Sequence, residues 1–358
     1  STVGSIAGTF ATGFFFIPAF GLNSIFLATS AALALCGAGG LWLVREEGGD
    51  ARTIRAAALL LLASLAAGAG WAGRPPGKSA ETIFFRENMY HTLRIQEWTD
   101  QNNRTVRELF LDSQPEAAMV VGDDSALHFR YSRFLALGTA ALPEMKRAFF
   151  LGGGGFTMPK ALHLMRPQAQ VTVAELDPDV VAAGRSFFRL DHFPQIRVLA
   201  GDGRRNLRAE GGQWDFIVGD AYRGLRNVPA HLVTQEFFRE VRERLAPGGA
   251  FLMNIIATRS GPGGMLYASV HRTLASVFPD IWVFSTDPAA PEVAQNVLFF
   301  AFRDREEGRF HSLLGKLEAD PALRFIAASR VAPPAPGVYG PILTDDYNPV
   351  EYLVAQGF

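Results

Sequence analysis

The first 44 residues contain no Asp, Glu, Lys or Arg, and residues 56–73 are equally free of charge. A helix needs about 20 apolar residues to cross the hydrocarbon core of a bilayer. The charge-free opening is therefore long enough for two crossings, with a break at Phe20-Gly21-Leu22-Asn23. The pattern predicts helices over 2–19, 24–44 and 54–73, the last stopping before Arg74-Pro75-Pro76-Gly77. Only Arg45, Glu46, Glu47, Asp50, Arg52 and Arg55 carry charge in the first 73 positions, although the 358 residues hold 34 Lys+Arg and 35 Asp+Glu. The expectation is a membrane region of about three helices over 1–73, followed by a part with the charge density of a globular domain. A signal peptide fits helix one poorly, since it has neither a basic start nor a cleavage site before a soluble domain.

Gly4 and Gly8 form a small-xxx-small pair, and Gly13 and Gly37–Gly40 add flat surface, the kind on which membrane helices pack. Arg45, Arg52 and Arg55 flank one side and Arg74, Lys78 and Arg86 the other, so the positive-inside count is a tie. The single cysteine, Cys36, excludes a disulfide within the chain. The chain opens on Ser1 rather than Met, which is read as processing or as part of a longer protein. A net charge of -1 argues against a nucleic-acid partner.

From about residue 80 the pattern turns to short alternating strands, Thr82–Phe85, His91–Gln96 and Glu108–Leu111, separated by turn residues such as Asp100–Asn103. They predict a small antiparallel β subdomain over 78–142. Beyond Pro143, strands and helices alternate as in a parallel, doubly wound sheet. The apolar runs are Ala148–Leu151, Gln170–Glu175, Ile196–Ala200, Trp214–Gly219 and Ala250–Ile255. Ile281–Ser285 and Asn296–Phe302 then follow each other without a helix. Five parallel strands closed by a hairpin make an α/β class: a class I methyltransferase-like Rossmann domain over 143–330, with a C-terminal tail, 331–358, packing on it.

Gly152, Gly153, Gly154 and Gly155 follow the first of these strands, where bare backbone lets a nucleoside approach closely. Glu175 ends the second strand and is placed to take ribose hydroxyls. Asp202 ends the third, placed to accept from an adenine amino group, and Asp220 ends the fourth. Three acids at consecutive strand ends favour a ligand site over the alternative that each caps a helix; Asp177, before Pro178, is read as a cap. Gly152-x-Gly154-x-x-Thr157 lacks the third glycine of the dinucleotide fingerprint. His231 is as well read as structural as a base, and Asp345-Asp346 as a turn. Neither the seven histidines nor the cysteine show metal-ligand spacing.

Ala148–Lys160 (AFFLGGGGFTMPK), Val171–Pro178 (VTVAELDP), Gly201-Asp202-Gly203, Trp214–Tyr222 (WDFIVGDAY) and Pro247–Asn254 (PGGAFLMN) resemble the spermidine synthases, or aminopropyltransferases. Tyr90–Glu97 (YHTLRIQE), Arg107–Asp112 (RELFLD) and Leu343–Tyr352 (LTDDYNPVEY) extend the resemblance over nearly all of 80–352. Thr2–Leu22 is similar to the end of the membrane region in the bacterial branch fused to membrane helices. The resemblance implies aminopropyl transfer from decarboxylated S-adenosylmethionine to an amine, with no metal. It gives Glu175 the ribose, Asp202 the adenine and Asp220 the role of base. It implies an integral protein of the bacterial inner membrane with a cytoplasmic soluble domain. Its partners would be the lipid bilayer, the nucleoside sulfonium, and other membrane subunits or a second copy.

The sequence departs from that family at four places. Gly155 stands where an aspartate faces the aminopropyl ammonium, and Arg223 replaces the second acid of Asp-x-x-Asp. Glu116 stands at a family Gln, and Tyr90-His91 at a Tyr-Gln pair. Tyr90, His91, Tyr222, Arg223 and His231 are the candidate substrate contacts. The departures open two alternatives: an inactive scaffold serving as a subunit of a larger membrane complex, or a methyltransferase using intact S-adenosylmethionine, whose carboxylate Arg223 would pair.

Overall fold

A computed structural model describes residues 2–16, 24–37, 80–222, 228–261, 263–334 and 340–356. The chain falls into two compact units, Ser1–Trp98 and Thr99–Phe358. In the first, α1 (Thr2–Ala11) widens into a π-helical turn over Thr12–Phe16, and α2 covers 24–37. Among the described residues no helix is long and apolar enough to cross a membrane. The helices expected over 2–19 and 24–44 are described only in these parts, and the one expected over 54–73 lies outside the described residues. Both α1 and α2 leave large apolar side chains open, with Val3 81%, Phe10 61% and Leu35 75% exposed. The unit ends in an antiparallel hairpin of β1 (Glu81–Glu87) and β2 (Thr92–Thr99), with a bulge between Thr82 and Phe84.

The second unit opens with an antiparallel meander, β3 (Thr105–Leu111), β4 (Gln114–Val120) and β5 (Asp123–Leu127). Asp112 makes the tight β3–β4 turn in the left-handed region at φ 56, which a short polar side chain tolerates. The sequence reading had β3 but neither β4 nor β5. After α3 (Ala136–Ala141) comes an eight-stranded sheet in the order β13-β11-β12-β10-β9-β6-β7-β8. Its members are β6 (Arg147–Leu151), β7 (Gln170–Glu175), β8 (Arg197–Ala200), β9 (Trp214–Gly219), β10 (Leu245–Ala257), β11 (Asp280–Ser285), β12 (Gln295–Phe302) and the two-residue β13 (Arg330–Val331). Strands β8, β7, β6, β9 and β10 run parallel, and β12, β11 and β13 follow antiparallel. This is the methyltransferase-like Rossmann fold that the five apolar runs and the closing pair anticipated.

Helices α4 (Thr157–Met165), α5 (Pro178–Phe187), α6 (Gly203–Ala209), α7 (Gln235–Arg244) and α8 (Gly264–Ala275) connect the strands. Helix α7 shows how sequence sets such an element. Thr234 caps it by accepting from the Phe237 N–H, and Phe237, Phe238 and Val241 put one apolar stripe into the core. There they meet Phe251 of β10 and Leu343, while Val350 and Leu353 of α11 (Val350–Ala355) join the same cluster. Between α8 and α11 lie α9 (Arg309–Ala319) and α10 (Arg324–Ala328). Because β6 lies between β7 and β9, the chain winds both ways from it, and the carboxyl ends of β8, β7, β6 and β9 border one crevice.

Candidate functional site

The glycine loop leaves β6 with Gly152 at φ +97, where a Cβ would lie 2.5 Å from the Asp220 carbonyl oxygen. The loops after β6 and β9 therefore touch backbone to backbone, which only glycine allows. The N–H of Gly153 donates to Glu175 Oε2 at 2.7 Å, and that of Asp177 to Oε1 at 2.9 Å. Burial raises the Glu175 pKa above the usual carboxylate range, with the donated backbone hydrogen bonds acting against it. Phe156 enters α4 in the left-handed region at φ 55, fully buried, its ring against Gly153 and Gly184. Asp177 caps α5 as the sequence suggested, accepting from the Asp179 N–H.

Asp202 serves two purposes at once. One oxygen accepts from the Arg205 N–H as the cap of α6, and Oδ2 lies 2.7 Å from His231 Nε2. The His231 contact is the main influence holding Asp202 below the ordinary aspartate value. His231 is in turn anchored through its carbonyl, which accepts from the buried Arg204 guanidinium at 3.0 Å. Arg204 also binds Glu240 on α7 and both oxygens of Asp345. Asp345, read from sequence as a turn former, thus ties the tail to α6.

Asp220 is held on both sides. Asn254 of β10 donates from Nδ2 to Oδ1 at 2.9 Å, and the Tyr131 hydroxyl donates to Oδ2 at 3.2 Å. The orientation of the Asn254 amide is fixed by Asn296 of β12, which donates to its Oδ1 at 3.2 Å. Burial raises the Asp220 pKa against the pull of these two hydrogen bonds. Tyr131 and Tyr222 both titrate well above the ordinary tyrosine value, chiefly through burial, with Asp220 and Glu116 adding repulsion. Among the described residues the buried Tyr222 hydroxyl has no hydrogen-bond partner. Glu116, at the start of β4, is pushed up to about 8, first by burial and then by the charges of Asp220, Asp112 and Glu175. A cavity of about 340 Å³ opens beside this group, bordered by Glu116, Tyr131, Tyr222, Asn254, Ile256 and Asn296.

The glycine loop, Glu175, Asp220 and Tyr222 thus share one crevice, with Asp202 and His231 paired at the end of β8. Arg223 lies outside the described residues. Tyr90 and His91 sit in the β1–β2 turn of the first unit, where both backbone N–H groups donate to Asn88 Oδ1 at 2.8 Å. Sequence reasoning missed Tyr131 and the roles of Asn254 and Asn296. A polar residue interrupting the apolar run of β10 was the available signal for Asn254.

No family model matches the chain. A polyamine aminopropyltransferase of Vibrio vulnificus is 30% identical over 164 residues, 45% of this chain and 53% of the relative. A probable polyamine aminopropyl transferase of Bifidobacterium longum is 29% identical over 192 residues, 54% of this chain and 41% of the relative. The chain spans about half the length of these curated relatives. A probable spermidine synthase from Corynebacterium glutamicum shares the fold at TM-score 0.54 and 21% identity, over 72% of this chain and 96% of that one. A spermidine synthase in complex with the transition-state analogue AdoDATO does so at TM-score 0.51 and 20% identity, over 70% and 84%. The chain is thus similar in sequence to polyamine aminopropyltransferases and shares its fold with spermidine synthases.

Proposed function

We propose that the α/β domain transfers an aminopropyl group from decarboxylated S-adenosylmethionine to an amine. One observation carries the reading: Asp220 is clamped between Tyr131 and Asn254, two residues that also line the neighbouring cavity, and its backbone meets the glycine loop that binds Glu175. In this reading the lone pair of the acceptor nitrogen forms the new C–N bond at the carbon next to sulfur. The C–S bonding pair goes to sulfur, which becomes neutral as methylthioadenosine leaves. The nitrogen's proton passes to Asp220, whose raised pKa makes it a better base than an exposed carboxylate. Glu175 retains lone pairs for ribose hydroxyls beside its two backbone donors, and Asp202 takes the adenine amino group at the oxygen that His231 now meets.

Calorimetric titration of the solubilised chain with methylthioadenosine tests the nucleoside half of the reading. Micromolar binding that Glu175→Ala weakens at least tenfold is expected, an effect of roughly 1.4 kcal/mol or more. Absence of binding, or binding indifferent to Glu175, would refute it.

The same reading makes the protein a membrane-fused member of its family, held by α1 and α2 in the bacterial inner membrane with the α/β domain on the cytoplasmic side. The exposed apolar side chains of these helices support it. Gly4 and Gly8, with open space where a Cβ would stand, leave a flat face for a neighbouring membrane helix, whether from another subunit or a second copy.

A further inference from the structure

The start of β4 rests on the glycine loop. A Cβ on Gly155 would lie 2.9 Å from the Ala117 Cβ and 3.0 Å from the Phe188 ring, and one on Gly154 would lie 4.0 Å from the Glu116 carbonyl oxygen. This packing excludes a side chain at 155 and by the same contact carries the neighbouring residue, Glu116, into the crevice. Glu116 feels Glu175 on the ribose side and Asp220 on the side of the base. A donor whose ribose meets Glu175, and whose reacting carbon faces Asp220, extends the rest of its aminopropyl arm beyond that carbon, toward the cavity that Glu116 borders. The charges that act on Glu116 are all acidic. A desolvated carboxylate among like charges is stable only with a proton or with a cation brought by a ligand.

The geometry points to Glu116 as the specificity-determining acid of the donor site: its carboxylate receives the ammonium of the aminopropyl arm and rejects the carboxylate of intact S-adenosylmethionine. The assignment rests on the nucleoside reading above. It places on β4 a charge that the glycine loop does not carry. It also separates aminopropyl from methyl transfer, because the methyl donor brings an anion against the Glu116 carboxylate, on which Asp220, Asp112 and Glu175 already act, although Arg130 borders the same cavity.

Three ligands and one isosteric substitution test it on the full chain in detergent. Decarboxylated S-adenosylmethionine, S-adenosylmethionine and methylthioadenosine are titrated into the wild type and Glu116→Gln. The wild type is expected to prefer the decarboxylated donor over the intact one by roughly tenfold or more, the scale of a charge-assisted hydrogen bond. In Glu116→Gln that preference falls below about threefold, while methylthioadenosine, which has no charged arm, binds within about twofold of the wild type. A preference absent from the wild type, or undiminished in Glu116→Gln, overturns the assignment. So does a variant that loses methylthioadenosine as well, since Glu116 would then serve the nucleoside and not the arm. Failure of methylthioadenosine to bind the wild type removes the nucleoside reading itself, and this assignment with it.

Discussion

Burial and the neighbouring acids push Glu116 up to about 8, against an ordinary 4.5. Its pKa is raised on folding, so it contributes stability that is fully present below about 4.5 and lost as pH rises through about 8. Asp220, Asp112 and Glu175 act on it, and Tyr131, Tyr222 and Arg130 border the same cavity. Glu116→Gln keeps the shape and removes the titration. The melting temperature of the variant is expected to gain on the wild type steadily from pH 5 to pH 8.5. Parallel curves across that range would show that Glu116 does not titrate as its surroundings dictate. The family resemblance made this position visible in the sequence as a departure from Gln. Its burial among acids was not visible, since it depends on β4 packing against a loop some forty residues later.

At the scale of elements, legibility followed chemistry. Strands β6, β7, β9 and β10 are continuous apolar runs because both faces are covered, and they stood out in the sequence. Strand β4 reads Gln-Pro-Glu-Ala-Ala-Met-Val, with a proline and two alanines, and carries no such signal. It is nevertheless the element that brings Glu116 to the site. Asp345 shows the same limit, because its partner Arg204 stands 141 positions away. The apolar faces of α1 and α2 were legible as candidates for the bilayer, and their exposure makes a direct prediction. Membranes from cells expressing the full chain, washed at alkaline pH, should retain it in the pellet. Release into the supernatant would remove the bilayer from the account.

For the chain as a whole, the decisive contrast is between an opening free of charge and a domain whose crevice gathers acids. Glu175, Asp202 and Asp220 were legible because parallel topology puts strand ends side by side, so spacing alone suggested their convergence. What they do together depends on Tyr131, Asn254, Asn296 and Glu116, which come from other parts of the fold and gave little or no signal. The sequence relatives share about half their length with this chain, so activity has to be measured on this protein. The most direct measurement is the release of methylthioadenosine from decarboxylated S-adenosylmethionine by the full chain, with and without a panel of primary amines. The account predicts amine-dependent release that falls by roughly 100-fold or more in Asp220→Asn, the scale of a lost general base. No amine-dependent release from a protein that binds methylthioadenosine would contradict the account and leave a nucleoside-binding scaffold in place of a transferase.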